Sequence, residues 1–177
     1  MKKILLHSCC APCSAHVIQE LSKEYKVTLF YFNPNIFPEE EYQKRLAEAK
    51  NYLKKIEIDL IEGEYNHDLW LEKIKGYENE PERGKRCQIC YQMRLAKTAS
   101  KAKELGFDVF CSTLSISPHK DAEMINKIGQ KLSEEYKIEY LESNWKKQEC
   151  FKKACDISRE EGFYRQEYCG CEFSMKY

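Results

Sequence analysis

Glycine and proline are scarce: the 177 residues hold seven and five of them. That excludes glycine-rich linkers, collagen-like repeats and proline-rich stalks. No apolar run approaches the ~20 residues of a membrane-spanning helix, so no membrane partner is expected. The opening Met1-Lys-Lys-Ile-Leu-Leu-His-Ser8 is basic, but its apolar stretch is too short for a secretory signal. An excess of either charge is missing too. Lys plus Arg and Asp plus Glu both number 29, so a nucleic-acid contact has to come from a local patch rather than from the field of the whole molecule. A chain of this length suits one domain with its own core, and a cytoplasmic location is expected.

What the chain has is cysteine. Nine of its ten cysteines fall in four short groups: Cys9-Cys10-Ala-Pro-Cys13, Cys87-Gln-Ile-Cys90, Cys150 with Cys155, and Cys169-Gly-Cys171. The density stays below the ~8–10% of a disulfide scaffold. In the cytoplasm, clustered thiols favour metal binding or redox catalysis over structural bridges.

Apolar runs alternate with helical periodicity along the whole chain. Strands are expected at 3–7, 27–32, 57–61, 108–113 and 138–142. Helices are expected at 14–25, from Pro38 to about 55, and at 67–75, 87–105, 121–136 and 148–161. Ser14 is the expected cap of the first helix, and Gly106 and Gly162 end two later ones. The alternation implies an α/β fold: a single domain over 1–177, with a Rossmann-like parallel sheet of about five strands flanked by helices and a cysteine-bearing tail. Such sheets bind ligands beyond the carboxyl ends of their strands, where strand order reverses. The segments 8–13 and 115–120, after the first and fourth strands, are the natural candidates.

Nucleotide-binding folds usually place glycines in the turn after the first strand. Here the turn carries Cys9, Cys10 and Cys13, and a helix start beside them favours thiolate over thiol. Cys87 and Cys90 stand at i and i+3 on one helix face, which suits a shared metal. Arg83, Lys85, Arg86 and Arg94 surround them and are expected to lower their pKa values. Two thiol pairs from separate segments, Cys9/Cys10 and Cys87/Cys90, make a four-thiolate set for zinc or an iron–sulfur cluster. The position of that set at the ligand-binding end of the sheet favours iron–sulfur. Cys169-Gly-Cys171 can close a small, easily reduced disulfide or hold metal. Cys111, Cys150 and Cys155 read as core.

These residues together resemble the epoxyqueuosine reductase family of the QueH type. The matching stretches are His7-Ser-Cys-Cys-Ala-Pro-Cys-Ser14, Tyr31-Phe-Asn-Pro-Asn-Ile36 with Tyr42 and Arg45, Glu82-Arg-Gly-Lys-Arg-Cys-Gln-Ile-Cys90 with Met93-Arg-Leu95, Ser112-Thr-Leu-Ser-Ile-Ser-Pro-His-Lys120, and Tyr168-Cys-Gly-Cys171. The resemblance implies a fold similar to the adenine-nucleotide alpha-hydrolases. It implies an enzyme that removes the epoxide oxygen of epoxyqueuosine at the tRNA wobble position, leaving queuosine. It also implies a [4Fe–4S] cluster on Cys9, Cys10, Cys87 and Cys90, an additional iron for which Cys13 is a candidate ligand, a redox-active Cys169/Cys171 pair, and an unidentified electron donor. Arg86, Arg94, His119 and Lys120 are candidate substrate or tRNA contacts, and His119 or Tyr168 candidate proton donors. The competing reading is a thioredoxin-like thiol–disulfide oxidoreductase using Cys10 and Cys13. A zinc-stabilised RNA-binding module is a further alternative. An ATP-dependent thiolating enzyme of the same fold is disfavoured, because the turn after the first strand lacks a Ser-Gly-Gly-type phosphate loop.

Overall fold

The computed structural model describes residues 1–147 and 149–175. Its strands are β1 (Lys2–Ser8), β2 (Tyr25–Tyr31), β3 (Asp59–Glu62), β4 (Val109–Ser112) and β5 (Glu139–Tyr140). Its helices are α1 (Ala11–Leu21), α2 (Glu39–Lys55), α3 (His67–Lys73), α4 (Lys85–Glu104), α5 (Ala122–Tyr136) and α6 (Cys150–Glu161). The strands form one parallel sheet in the order β3-β2-β1-β4-β5. The expected α/β class with a five-stranded parallel sheet is therefore the observed one.

The sheet divides two cores by the two-residue alternation of its strands. Leu5, Phe30 and Phe110 face α3, α4 and α5, where Trp70, Leu95 and Ile125 meet them. Ile4, Leu6, Leu29 and Cys111 face the opposite side, where Val17 and Ile18 of α1, Leu53 of α2 and Ala154 of α6 close over them. Both faces of the central strands are covered, which is why β1 and β4 read as unbroken apolar runs. Cys111 is fully buried, as expected. Cys155 is not core; it lines an open pocket beside Cys13.

Two boundaries differ from expectation in ways that matter for the site. α1 begins at Ala11 rather than Ser14. Cys10 is the cap residue, extended at φ −172° and ψ 161°, and Pro12 stands in the first turn, where its fixed φ suits a helix start. Ser14 is inside the helix, and its hydroxyl donates to the carbonyl of Cys10 at 2.8 Å. Cys13 thus rides on the first turn, next to the cap. The expected start of the last helix, residue 148, lies outside the described residues. α6 runs from Cys150 and ends at Gly162, whose φ of +67° is the left-handed conformation that glycine adopts at no cost.

Candidate metal centre

From β1 the chain moves outward through β2 to β3, and β4 leads the other way to β5. The switch of direction lies between β1 and β4, and a crevice opens there beyond the carboxyl ends. Its walls are the two segments singled out above, 8–13 and 115–120.

Three thiols meet on the first wall. The sulfurs of Cys9, Cys10 and Cys13 all lie within 4.8 Å of one another, with Cys9 and Cys10 3.7 Å apart. The extended backbone at Cys10 and the immediate helix start fold the five residues back on themselves. Gln166 donates to the Cys10 sulfur at 3.0 Å.

Four more thiols line a small cavity of about 30 Å³: Cys87 and Cys90 from α4, and Cys169 and Cys171 from the tail. A buried strap holds the tail there. Arg45 of α2 donates to the carbonyls of Cys169 (3.2 Å) and Tyr168 (3.1 Å), and Glu41 anchors the guanidinium at 2.7 Å. The Phe37 amide donates to the Gly170 carbonyl at 2.8 Å. His67 bonds Pro34 through one ring nitrogen (2.8 Å) and Glu172 through the other (2.9 Å). Gly170 is required at the turn. Its φ is +128°, and a Cβ there would come within 3.0 Å of Ile36.

Two buried cations stand between the thiol groups. Arg94 senses Cys90, Cys9 and Cys169, and Lys120 senses Cys169, Cys9 and Cys13. Burial works against both charges, yet the sulfurs outweigh it and both pKa values rise. The thiols do not respond uniformly. Hydrogen bonds from Cys10 and Cys13 hold Cys9 well below the ordinary thiol value, and Lys120 and Arg94 add to this. Cys10 is pushed up to about 12: a hydrogen bond from Cys13 opposes the shift, but Cys9 and burial prevail. Cys13 is pushed up by its hydrogen bonds to Cys10 and Cys9. Cys169 is held down by its hydrogen bond to Cys171, with Lys120 helping against burial, while Cys171 moves up. Burial drives Cys90 up to about 11 and raises Cys87 as well. The expectation that basic neighbours would lower these two thiols is therefore overturned, because desolvation exceeds the pull of Arg94 and Arg86.

The residues present fit a thiolate-bound metal group. All ten cysteines are free, so the small-ring disulfide suggested for Cys169 and Cys171 is not formed, and seven thiols converge. Buried polar atoms without a partner border the same cavity: Trp70 Nε1, Arg86 Nε, Arg94 Nε and Asn35 Oδ1. Three of these four are N–H donors, suited to the electron-rich exterior of a sulfur-ligated centre. The thioredoxin-like reading finds less support, since it leaves the thiols of Cys87, Cys90, Cys169 and Cys171 around their shared cavity unexplained.

The structure sorts the predicted residues in its own way. It brings Cys9 and Cys10 together with Cys13 and sets Cys87 and Cys90 around one cavity with Cys169 and Cys171, with Cys169 also lining the pocket of Cys9 and Cys13. Lys120 lines both the small cavity and an open pocket of about 310 Å³ in front of Cys9 and Cys13. His119 is exposed at that mouth. Arg86 and Arg94, expected as substrate or tRNA contacts, are 3% and 2% exposed, which leaves them no phosphate-facing surface. Arg86 instead braces the loop before α4, donating to the carbonyls of Glu78 and Glu80. Arg94 donates to Asn33 at 3.1 Å. Sequence reasoning missed the anchoring roles of Arg45, His67 and Gln166. Only the Glu41/Arg45 spacing of four on a helix hinted at the first.

A doubly wound parallel sheet with clustered thiols where phosphate-binding sheets carry glycines defines the class: an α/β protein with a cysteine cluster at the switch point. A predicted subunit of tRNA methyltransferase from Methanocaldococcus jannaschii shares this fold at a TM-score of 0.61 and 12% identity, over 95% of this chain and 78% of that one. The family model described as epoxyqueuosine reductase QueH matches residues 4–177. Proteins of that name from Haemophilus influenzae and Acinetobacter baylyi are 43% and 44% identical over 176 residues. Those alignments cover 98% of this chain and 72% and 81% of the relatives. The relative from Thermotoga maritima is 33% identical over 99% of this chain and 91% of its own length. The chain belongs to the epoxyqueuosine reductase QueH family.

Proposed function

We propose that this chain removes the epoxide oxygen of epoxyqueuosine in tRNA, with an iron–sulfur centre held by the converged thiols. The observation that carries the reading is the convergence of seven free, largely buried cysteines at the switch point of the sheet. Family membership supplies the substrate: the relatives carry the name epoxyqueuosine reductase. The sequence reading assigns a [4Fe–4S] cluster to Cys9, Cys10, Cys87 and Cys90. The grouping of Cys87 and Cys90 with Cys169 and Cys171 around one small cavity favours a second partition. In it those four hold the cluster, and Cys9, Cys10 and Cys13 hold the additional iron.

Bound there, an iron–sulfur centre with an adjacent iron would supply electrons and Lewis-acid polarisation of an epoxide oxygen. The chain's own residues do the rest. The 310 Å³ pocket in front of Cys9 and Cys13 admits a flipped base, and His119 and Tyr168 border it. Tyr168 hydrogen-bonds the Phe37 carbonyl at 2.5 Å, which fixes its ring beside Arg45. Exposed His119 stands free to hand a proton to the departing oxygen. Lys120 and Arg94 keep positive charge beside the sulfurs, and the strap holds the tail cysteines at the cavity.

The test is anaerobic purification with iron and sulfide counting, followed by turnover of tRNA that carries epoxyqueuosine. Iron and sulfide near four each per chain, or slightly more iron, with conversion to queuosine supports the reading. Zinc alone, with no iron after reconstitution, refutes it. Cys169→Ser separates the two partitions. Loss of the cluster places Cys169 among its ligands, and an intact cluster spectrum returns the set to Cys9, Cys10, Cys87 and Cys90.

A further inference from the structure

We infer that the groove on the far side of α4 is the docking site of a small acidic electron-transfer protein. The inference rests on the reductase reading above. Removing an epoxide oxygen breaks both C–O bonds of the three-membered ring, forms a C=C bond and releases the oxygen as water. Each turnover consumes two electrons and two protons. The electrons come from two molecules of a one-electron protein donor, each oxidised once, and the protons come from solvent through the pocket mouth.

The donor cannot use that mouth. The pocket in front of Cys9 and Cys13 has to hold the modified base, so reduction must reach the thiols from another side. α4 offers one. Its residues alternate between two faces: Cys87, Cys90 and Arg94 line the small thiol cavity, while Gln88, Ile89, Gln92 and Met93 line a groove of about 830 Å³ bounded by α3 and α5. A single helix, about 10 Å across, separates the two. The wall is not hollow. Cys90, Met93 and Phe32 belong to one packed apolar cluster, so the groove floor touches the core that holds the centre.

The chemistry of the groove selects the partner. Its floor is apolar, with Phe32, Ile89, Met93 and Ile128, and its rim carries Lys73, Lys85, Lys97, Lys127 and Lys131 against one carboxylate, Glu64. Among the described residues only Lys127 of these five is paired, to Glu123 at 2.8 Å. The four others are exposed and have no carboxylate within ion-pair distance. Such a local excess on a chain of zero net charge is a directed feature. An apolar patch ringed by carboxylates matches it, and small charge-steered contacts of this kind are usual for short-lived electron transfer. RNA is the lesser fit, because the groove holds no arginine and its apolar floor has nothing to offer phosphate.

The experiment compares the protein with a Lys97→Glu/Lys131→Glu variant, using two reductants. One is a reduced acidic [2Fe–2S] ferredoxin; the other is dithionite with a viologen mediator. The inference expects the variant's KM for ferredoxin to rise about tenfold at low salt, and the difference to shrink as salt screens it. The viologen-driven rate and the KM for tRNA should stay as they were. An unchanged KM for ferredoxin overturns the inference. So does a wild type that turns over with viologen but not with ferredoxin, and so does a raised KM for tRNA, which would make the groove an RNA site. A wild type inactive with viologen is a failure of the reductase reading instead. In that case salt-dependent binding of ferredoxin to protein and variant still decides the groove.

Discussion

The two thiol groups are built in opposite ways. Cys9, Cys10 and Cys13 come from five consecutive residues, and a strand end, an extended cap and a proline-started helix bring them together. Their arrangement is set by β1 and α1, and the tail adds only the Gln166 hydrogen bond to the Cys10 sulfur at 3.0 Å. Cys87, Cys90, Cys169 and Cys171 come from segments some eighty residues apart, joined by a strap that runs from α2 to the tail. The first group is set by local geometry and the second by long-range anchoring. Loosening the strap should therefore disturb the second more than the first.

Substituting within the second group gives the largest effect. Cys87→Ala should lose the iron signature and reduce turnover of epoxyqueuosine-containing tRNA to background; a variant that keeps both would remove α4 from the centre. Arg45→Ala comes next. The guanidinium and Glu41 form a buried pair with side chains 1% and 10% exposed, and breaking such a pair costs about 3–5 kcal/mol. Urea unfolding should show that loss. In the metal-free protein, thiol labelling should accelerate more at Cys169 and Cys171, whose backbone Arg45 holds, than at Cys9, which Arg45 reaches only through its charge. Equal acceleration at both groups would dissolve the contrast between them.

Gly170→Ala is a smaller insult to the same strap. A left-handed φ with a new Cβ against Ile36 costs about 1–3 kcal/mol, and the same labelling pattern should appear more weakly. The smallest effect belongs to the locally built side. His16 on α1 is buried, its Nε2 has no partner, and burial lowers its pKa below 6.5. The folded state thus binds fewer protons than the unfolded one just below pH 6.5. Its contribution to stability is complete above that pH and is lost as the pH falls. His16→Leu should flatten that part of the stability profile, and an unchanged slope would show that His16 protonates without cost.

Sequence reasoning reached the sheet because both faces of β1 and β4 are buried, which prints continuous apolar runs. It also reached the crevice, since the turns after those strands carry the unusual residues. It placed the first helix three residues late because Ser14 looks like a cap. Pro12, which fixes the helix start, was the better signal. Pairing Cys9 and Cys10 with Cys87 and Cys90 rested on two thiol pairs and on the family resemblance, and neither reveals that the tail brings Cys169 and Cys171 to the same place. Arg86 and Arg94 were read as candidate substrate or tRNA contacts because they are basic and flank the cysteine pair. Their burial depends on carbonyls and side chains supplied by distant segments, and no local pattern announces these. The anchoring of the tail by Arg45 spans more than a hundred residues, beyond the reach of any periodicity.

The strap grips main-chain oxygens. Arg45 and the Phe37 amide hold the carbonyls of Tyr168, Cys169 and Gly170 without engaging the cysteine side chains. Such a clamp works as a ruler: apart from the glycine it needs at 170 and the Tyr168 hydroxyl on Phe37, it measures position along the chain rather than side-chain identity. Side chains around the gripped carbonyls can drift under it, but the count of residues from the clamp to Cys171 cannot. One residue inserted between Cys169 and Cys171 would leave the first sulfur in the cavity and carry the second out of it.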